Sequence, residues 1–102
     1  MMKINYKIWF EKDGEPVLTD LKYRILKGIR EKGSLKETSK RLGISYKKTL
    51  EHLKAMESRL GYKVVIRKRG KGSKLTEKGE KLLRKYEEAK RVFENVTKLF
   101  NQ

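Results

Sequence analysis

Apolar residues follow two different spacings along the first third of the chain. From Ile4 to Phe10 every second residue is apolar, which predicts a half-buried β-strand over Lys3 to Glu11. Asp13-Gly14 is typical of a tight turn, and Val17-Leu18 after Pro16 predicts a short returning strand. The chain is therefore expected to begin with a β-hairpin.

Two helices are predicted next. Apolar residues recur at helical spacing between Leu21 and Ile29, with Thr19 or Asp20 as the N-cap. The segment from Ser34 to Glu37 matches the capping box S-x-x-E, in which each side chain satisfies a free backbone donor, so the second helix should run to about Leu42. Glycines are expected to end the two helices, at Gly33 and Gly43.

A third helix of about fifteen residues is predicted between Ser45, its N-cap, and Gly61. The face that packs inward comprises Thr49, Leu53, Met56 and Leu60. The face about 200° away carries Lys47, Glu51, Lys54 and Ser58. The second and third helices are joined by the short turn Gly43-Ile44-Ser45, so together they have the form of a helix-turn-helix.

A second hairpin and a long helix complete the chain. Residues Tyr62 to Arg69 predict a strand, Gly70 to Ser73 a turn, and Lys74-Leu75 the return strand. This hairpin is in the position of the wing that follows a helix-turn-helix in winged-helix proteins. Thr76 is expected to cap the last helix, whose apolar residues alternate spacings of four and three like the seam of a coiled coil. The seam comprises Leu82, Tyr86, Ala89, Phe93, Val96 and Phe100.

The predicted fold class is mainly α with small β. One domain, 1–102, is expected, with the hairpin, helix-turn-helix and wing in 1–75 and a dimerisation helix in 76–102. The seam predicts a homodimer. The alternative is a monomer in which the same residues pack over the N-terminal strand.

Charge indicates the partner. Lys and Arg number 28 against 13 acidic residues, a net charge of +15, which favours a polyanion. There is no cysteine, and the single histidine, His52, lacks the neighbours that a metal site needs. No catalytic set and no nucleotide-binding glycine motif is present. We therefore expect neither an enzyme nor a cofactor, and no membrane span; a cytoplasmic location is expected.

The N-terminus of the third helix is the predicted site of base contacts, because that end enters the major groove in helix-turn-helix proteins. The candidates are Ser45, Tyr46, Lys47 and Lys48. Further along the outward face, Lys54 is a candidate contact, and Glu51 either accepts from a cytosine amine or, as we favour, orients a neighbouring lysine.

Phosphate contacts are predicted on two other elements. Ser34 and Lys36 lie at the start of the second helix, where the helix dipole favours an anion. The wing concentrates cations between glycines that allow close approach to a groove. These cations are Arg67, Lys68, Arg69, Lys71 and Lys74. An edge protected from sheet association by lysines is the structural alternative for the wing.

Several segments together resemble the DNA-binding domain of ModE-type molybdate-responsive regulators. They are Lys7 to Glu11, Gly33 to Leu35, Leu42 to Lys48, Met56-Glu57 and Leu75 to Gly79. The stretch from Gly43 to Arg67 and the segment Leu75 to Gly79 also resemble the broader LysR-type winged-helix family. The resemblance implies an N-terminal hairpin, a helix-turn-helix, a wing and a long dimerisation helix. The chain departs from the ModE pattern at Leu50, where tryptophan is frequent. It also lacks the molybdate-binding domain that such regulators commonly carry, so no effector domain is expected on this chain and the resemblance does not carry over oxyanion sensing.

The predicted partners are therefore double-stranded DNA and a second copy of the chain, in a homodimeric transcriptional regulator. Two other functions stay open from the sequence. A basic RNA-binding or ribosome-associated protein would account for the charge but not for the seam. A winged helix used only to bind proteins would account for the fold but not for the cations on the wing.

Overall fold

A computed structural model describes residues 2–102 of the chain. Over this range the fold is a mainly helical winged helix-turn-helix with two small antiparallel hairpins. In chain order the elements are β1 Phe10–Lys12, β2 Glu15–Leu18, α1 Asp20–Lys32, α2 Leu35–Leu42, α3 Tyr46–Leu60, β3 Val65–Lys68, β4 Gly72–Leu75 and α4 Glu77–Phe100. The predicted fold class is confirmed.

The helix boundaries follow from local capping. Each helix is preceded by a Ser or Thr whose hydroxyl accepts the backbone N–H three residues further on; the four caps are Thr19, Ser34, Ser45 and Thr76. Gly33, Gly43 and Gly61 end α1, α2 and α3 with φ angles of 64°, 69° and 81°, which glycine adopts without steric cost. The predicted ends of α1 to α3 are therefore confirmed.

The core lies where α1, α3 and α4 meet beneath the two hairpins. Its fully buried side chains include Leu18, Ile25, Leu26, Met56 and Leu83. Between α2 and α3 the contact is polar: the hydroxyls of Ser39 and Thr49, both buried, lie 2.7 Å apart and form a hydrogen bond. This bond joins the two helices of the helix-turn-helix, so their relative position is specific.

The prediction of a strand beginning at Lys3 is wrong. β1 starts only at Phe10, because the four-residue β2 offers no partner further back. Residues 2–9, here called the N-terminal arm, run antiparallel to α4, and their backbone is bonded to side chains of α4 and of Asn101, the residue that follows the helix. The amide group of Asn101 accepts from the N–H of Ile4 at 2.9 Å and donates to its carbonyl at 3.1 Å. The hydroxyl of Tyr86 donates to the carbonyl of Ile8 at 3.0 Å.

The residues of the predicted α4 seam differ in burial. Tyr86 is 1% exposed and packs within its own chain against Phe10 and Tyr23, with ring centroids 5.3 and 5.0 Å away. It therefore cannot contribute to a contact with a second chain, contrary to the seam prediction. Leu82 and Ala89 are half-buried, whereas Phe93, Val96 and Phe100 are exposed. In the part of the chain that the structure describes, no helix is long and apolar enough to cross a membrane.

Candidate nucleic-acid interface

Helix α3 presents the outward face that the sequence predicts. Thr49, Leu53 and Met56 are buried beneath it. Tyr46, the first residue of the helix, is 46% exposed. Four further candidate residues on this helix are exposed: Lys47, Lys48, Glu51 and Lys54. The packing of one face therefore leaves hydroxyl, ammonium and carboxylate groups free on the other.

A groove brings three separate elements together. It has a volume of about 320 Å³ and lies between the start of α2, the start of α3 and the wing. The candidate residues that line it are Ser34, Lys36, Tyr46, Arg67, Lys68 and Arg69. These residues were predicted on separate elements of the chain, and the fold gathers them around one concave surface.

Ser34 and Ser45 serve the fold and remain able to bind a ligand. The Oγ of Ser34 accepts from the N–H of Glu37 at 3.1 Å, and that of Ser45 accepts from the N–H of Lys48 at 3.0 Å. A hydroxyl that accepts one hydrogen bond still has its own O–H to donate. Each serine can therefore cap its helix and donate to a phosphate oxygen at the same time.

The register of the wing separates cations that the sequence placed together. Val65 pairs with Leu75 and Arg67 with Ser73, so Arg67 shares the inward face of the hairpin and borders the groove. Ile66 pairs with Lys74 on the opposite face. A second depression of about 220 Å³ lies there and is lined by Ile66, Lys68, Lys71, Gly72, Ser73 and Lys74. The wing therefore presents two basic faces.

Glu57 anchors the first strand of the wing to α3. Its Oε2 accepts the N–H of Val64 at 2.8 Å and that of Val65 at 3.3 Å, and its Oε1 lies 3.5 Å from the Nζ of Lys63. We did not single out Glu57 as a functional residue from the sequence. A signal was present, because a carboxylate near the C-terminus of a helix opposes the helix dipole and so indicates a specific partner.

The second strand of the wing is anchored to the turn before α2. The N–H of Ser73 donates to the carbonyl of Gly33 at 2.9 Å. Gly72 has a φ of 72°, and a Cβ at this position would collide with the carbonyl oxygen of Gly33. Because Ser34 directly follows Gly33, this contact fixes the distance between the wing and the N-terminus of α2.

The wing has the highest density of positive charge. Residues 62–75 contain six of the 28 Lys and Arg residues and none of the 13 acidic ones.

Burial, followed by the nearby charges of Lys22 and Lys48, lowers the pKa of His52 on α3. His52 is half-buried, and its lowered pKa favours the neutral imidazole. Among residues 2–102 no three His, Cys, Asp or Glu side chains are grouped so that they could hold a metal ion.

The geometry is that of a winged helix-turn-helix, and comparison with known proteins defines the family. The family model described as bacterial regulatory helix-turn-helix protein, lysR family, matches residues 22–80, which is more than half of the chain. The chain belongs to the lysR family. Nothing in the comparisons supports the narrower resemblance to ModE-type regulators. A comparison with curated proteins gave no match.

Solved structures of two LysR-type proteins are similar to the chain. ArgP from Mycobacterium tuberculosis superimposes with a TM-score of 0.63 at 21% identity, over 78% of this chain and 30% of ArgP. The CbnR DNA-binding domain, solved in complex with DNA, gives a TM-score of 0.58 at 25% identity and covers 78% of this chain and 86% of that domain. Full-length CbnR, a LysR family transcriptional regulator, is covered over 27% of its length. The chain thus spans less than a third of the full-length proteins that it resembles.

Proposed function

We propose that the chain binds double-stranded DNA in a sequence-specific manner, as a homodimeric transcriptional regulator. The observation that carries the proposal is the groove shared by α2, α3 and the wing, because it joins two helix N-termini to the most basic segment of the chain. Both features favour phosphates. The solved complex of the CbnR DNA-binding domain with DNA, at 25% identity, supports the same function.

Each element has its own role in the proposal. Helix α3 enters the major groove, where Tyr46, Lys47 and Lys48 contact base edges and Lys54 reaches the backbone. Ser34, Lys36 and the hydroxyl of Ser45 bind phosphates at the start of α2 and α3. On the wing, Arg67 and its neighbours Lys68 and Arg69 follow the backbone on the groove side, while Lys71 and Lys74 reach it from the outer face. Glu51 orients a neighbouring lysine.

The homodimer is proposed from the exposed apolar residues of α4. Phe93, Val96 and Phe100 are 47%, 45% and 69% exposed, and Val92 and Leu99 extend the same side of the helix. A two-fold dimer would place two α3 helices in successive major grooves, about 34 Å apart, on a palindromic site. Because the structure holds Tyr86 in the core, the proposed contact lies in the C-terminal half of α4.

Salt dependence of binding tests the proposal. Each phosphate neutralised on duplex DNA contributes roughly 0.9 to the slope of log K against log salt, so six contacts give a slope of about −5. Fluorescence anisotropy with a labelled duplex measures it. A Lys47→Ala variant should alter the preferred sequence, whereas Arg91→Ala, which removes an equal charge from an exposed position on α4, should leave both sequence and slope unchanged. A flat salt titration, or tighter binding to RNA than to duplex DNA, would overturn the proposal.

A further inference from the structure

The exposed apolar residues of the molecule are concentrated on one surface. Among residues 2–102, eleven large hydrophobic side chains are exposed, and nine of them lie on the N-terminal arm or on the C-terminal half of α4. These nine, here called the apolar face, are Met2, Ile4, Tyr6, Trp9, Val92, Phe93, Val96, Leu99 and Phe100. The other two, Tyr46 and Ile66, belong to the candidate DNA interface.

The arm is an integral part of this face. The side chain of Asn101 bonds both backbone groups of Ile4, and the hydroxyl of Tyr6 donates to the carbonyl of Lys90 at 3.3 Å. The ring of Tyr6 stacks on that of Phe93 with centroids 5.9 Å apart. Arm and helix therefore form one continuous surface, although they are more than 80 residues apart in the sequence.

A depression lies where the arm and α4 meet. It has a volume of about 340 Å³ and is lined mostly by apolar groups, from Lys7, Ile8, Trp9, Phe10, Ala89 and Phe93. Trp9, one of the lining residues, is 49% exposed, and its indole N–H donates to the carboxylate of Glu11 at 2.8 Å. The depression is open to solvent and has room for one large side chain.

The size of the apolar face matches one half of a protein interface. The exposed fractions of the nine residues are together equivalent to about five whole side chains, so at about 150 to 250 Å² for each large side chain the face exposes roughly 800 to 1,300 Å². A stable interface of standard size buries about 800 Å² on each partner. At 100° per residue, the charged residues of this half of α4 lie on other sides of the helix than its apolar residues. They are Lys90, Arg91, Glu94 and Lys98. An acidic partner, attracted by the net charge of the chain, is therefore disfavoured at the apolar face.

The face is complementary to itself. Phe100 is 69% exposed, Val96 lies one turn before it, and the depression lies around Ala89 and Phe93. At 1.5 Å per residue, Phe100 lies about 6 Å beyond Val96 along the helix, and the lining residues Phe93 and Ala89 lie about 4 to 11 Å before it. A two-fold axis near Val96 would therefore cross two α4 helices in antiparallel orientation and bring each Phe100 to the other chain's depression.

We propose that the N-terminal arm forms half of the dimer contact, and that Phe100 of one chain occupies the depression between Trp9, Ala89 and Phe93 of the second chain. This inference rests on the homodimer proposed above. It assigns a binding role to residues 2–9, which lie outside the segment matched by the lysR family model.

The single tryptophan of the chain reports on the contact. In a dimer, Trp9 would be covered by the other chain's Phe100, so a Phe100→Ala homodimer should emit at longer wavelength than the parent. Adding an excess of Trp9→Phe chain, which is without tryptophan but retains Phe100, should form mixed dimers and return the emission toward the parent value. The matched control is an excess of chain carrying both Trp9→Phe and Phe100→Ala, which should leave the emission unchanged.

Analytical sedimentation of the parent and of the variants measures the dissociation constant of the dimer. Two symmetric Phe100 contacts are lost in the Phe100→Ala homodimer, and dimerisation should weaken about 30-fold. Phe100→Leu, which keeps an apolar side chain, should recover most of the loss. A parent that is monomeric at micromolar concentration would overturn the homodimer itself. If the parent is a dimer but the Trp9 emission of the Phe100→Ala protein is the same with either added chain, the role of the arm is overturned and the homodimer stands.

Discussion

Replacing Glu57 with alanine is expected to release the wing from α3. The carboxylate is the acceptor for the N–H groups of Val64 and Val65, residues that are 0% and 8% exposed. The Glu57 side chain is itself only 14% exposed. In the variant both amides would be left without their acceptor in a place that water reaches poorly, so the start of β3 should move to find one.

The expected cost follows from these two bonds. A hydrogen bond to a charged group contributes about 1.5 to 3 kcal/mol, and since the bond to Val65 is long, we expect a total loss of about 3 kcal/mol in the free energy of unfolding. In a domain of about 100 residues 1 kcal/mol corresponds to roughly 4 to 8 °C, so Tm should fall by about 12 to 24 °C. The wing would also lose its fixed position beside α3.

Two measurements together test this reasoning. Circular dichroism gives Tm, and anisotropy with duplex DNA, at a temperature where the variant is fully folded, gives the salt slope of binding. If the freed wing loses two phosphate contacts, the slope should fall by about 2. Glu57→Gln keeps an acceptor oxygen, so its Tm and its salt slope should both stay close to those of the parent. A folded Glu57→Ala protein with the parent's salt slope would refute the view that Glu57 positions the wing.

Three further predictions concern the wing and the link between α1 and α4. Gly72→Ala should lower Tm in thermal unfolding more than Gly70→Ala does. Both glycines have a positive φ, but only the Cβ added at position 72 would collide with Gly33, so equal losses of Tm would contradict this contact. Replacing Arg67, Arg69 and Lys71 with Ala should weaken binding to all duplexes alike, because backbone contacts carry no sequence information. A loss of affinity for one duplex sequence only would show that the wing reads bases. The paired guanidinium of Arg30 lowers the pKa of Glu87, so the stability that this pair contributes is complete above the ordinary value of 4.5 and is lost as pH falls below it. Acid unfolding of Glu87→Gln should accordingly be less steep than that of the parent, and identical profiles would refute the assignment.

The sequence predicts the helices well because their signals are local. A hydroxyl before each helix and a glycine after each of the first three are sufficient to place the helix ends, since capping involves residues three or four positions apart. The outward face of α3 follows in the same way from the spacing of Thr49, Leu53 and Met56. The candidate residues on that face were therefore accessible to sequence reasoning.

Contacts between distant segments were not accessible in this way. The alternation from Ile4 to Phe10 is that of a strand, yet the partner of this segment is α4, and only the tertiary fold supplies the bonds from Asn101 and Tyr86. The heptad spacing of α4 does not distinguish a side chain that packs inward, like Tyr86, from one that stays exposed, like Phe93. The two faces of the wing depend on its register, which is set by the turn between β3 and β4.

In the proposed function, α3 reads the sequence of double-stranded DNA for a dimer of this chain. Selection of bound duplexes from a random library tests this role most directly. We expect the parent to enrich a palindrome whose half-sites lie about 34 Å apart, and a Lys47→Ala, Lys48→Ala variant no longer to enrich it. Selection of the same palindrome by that variant, or no enrichment by the parent, would contradict sequence reading by α3.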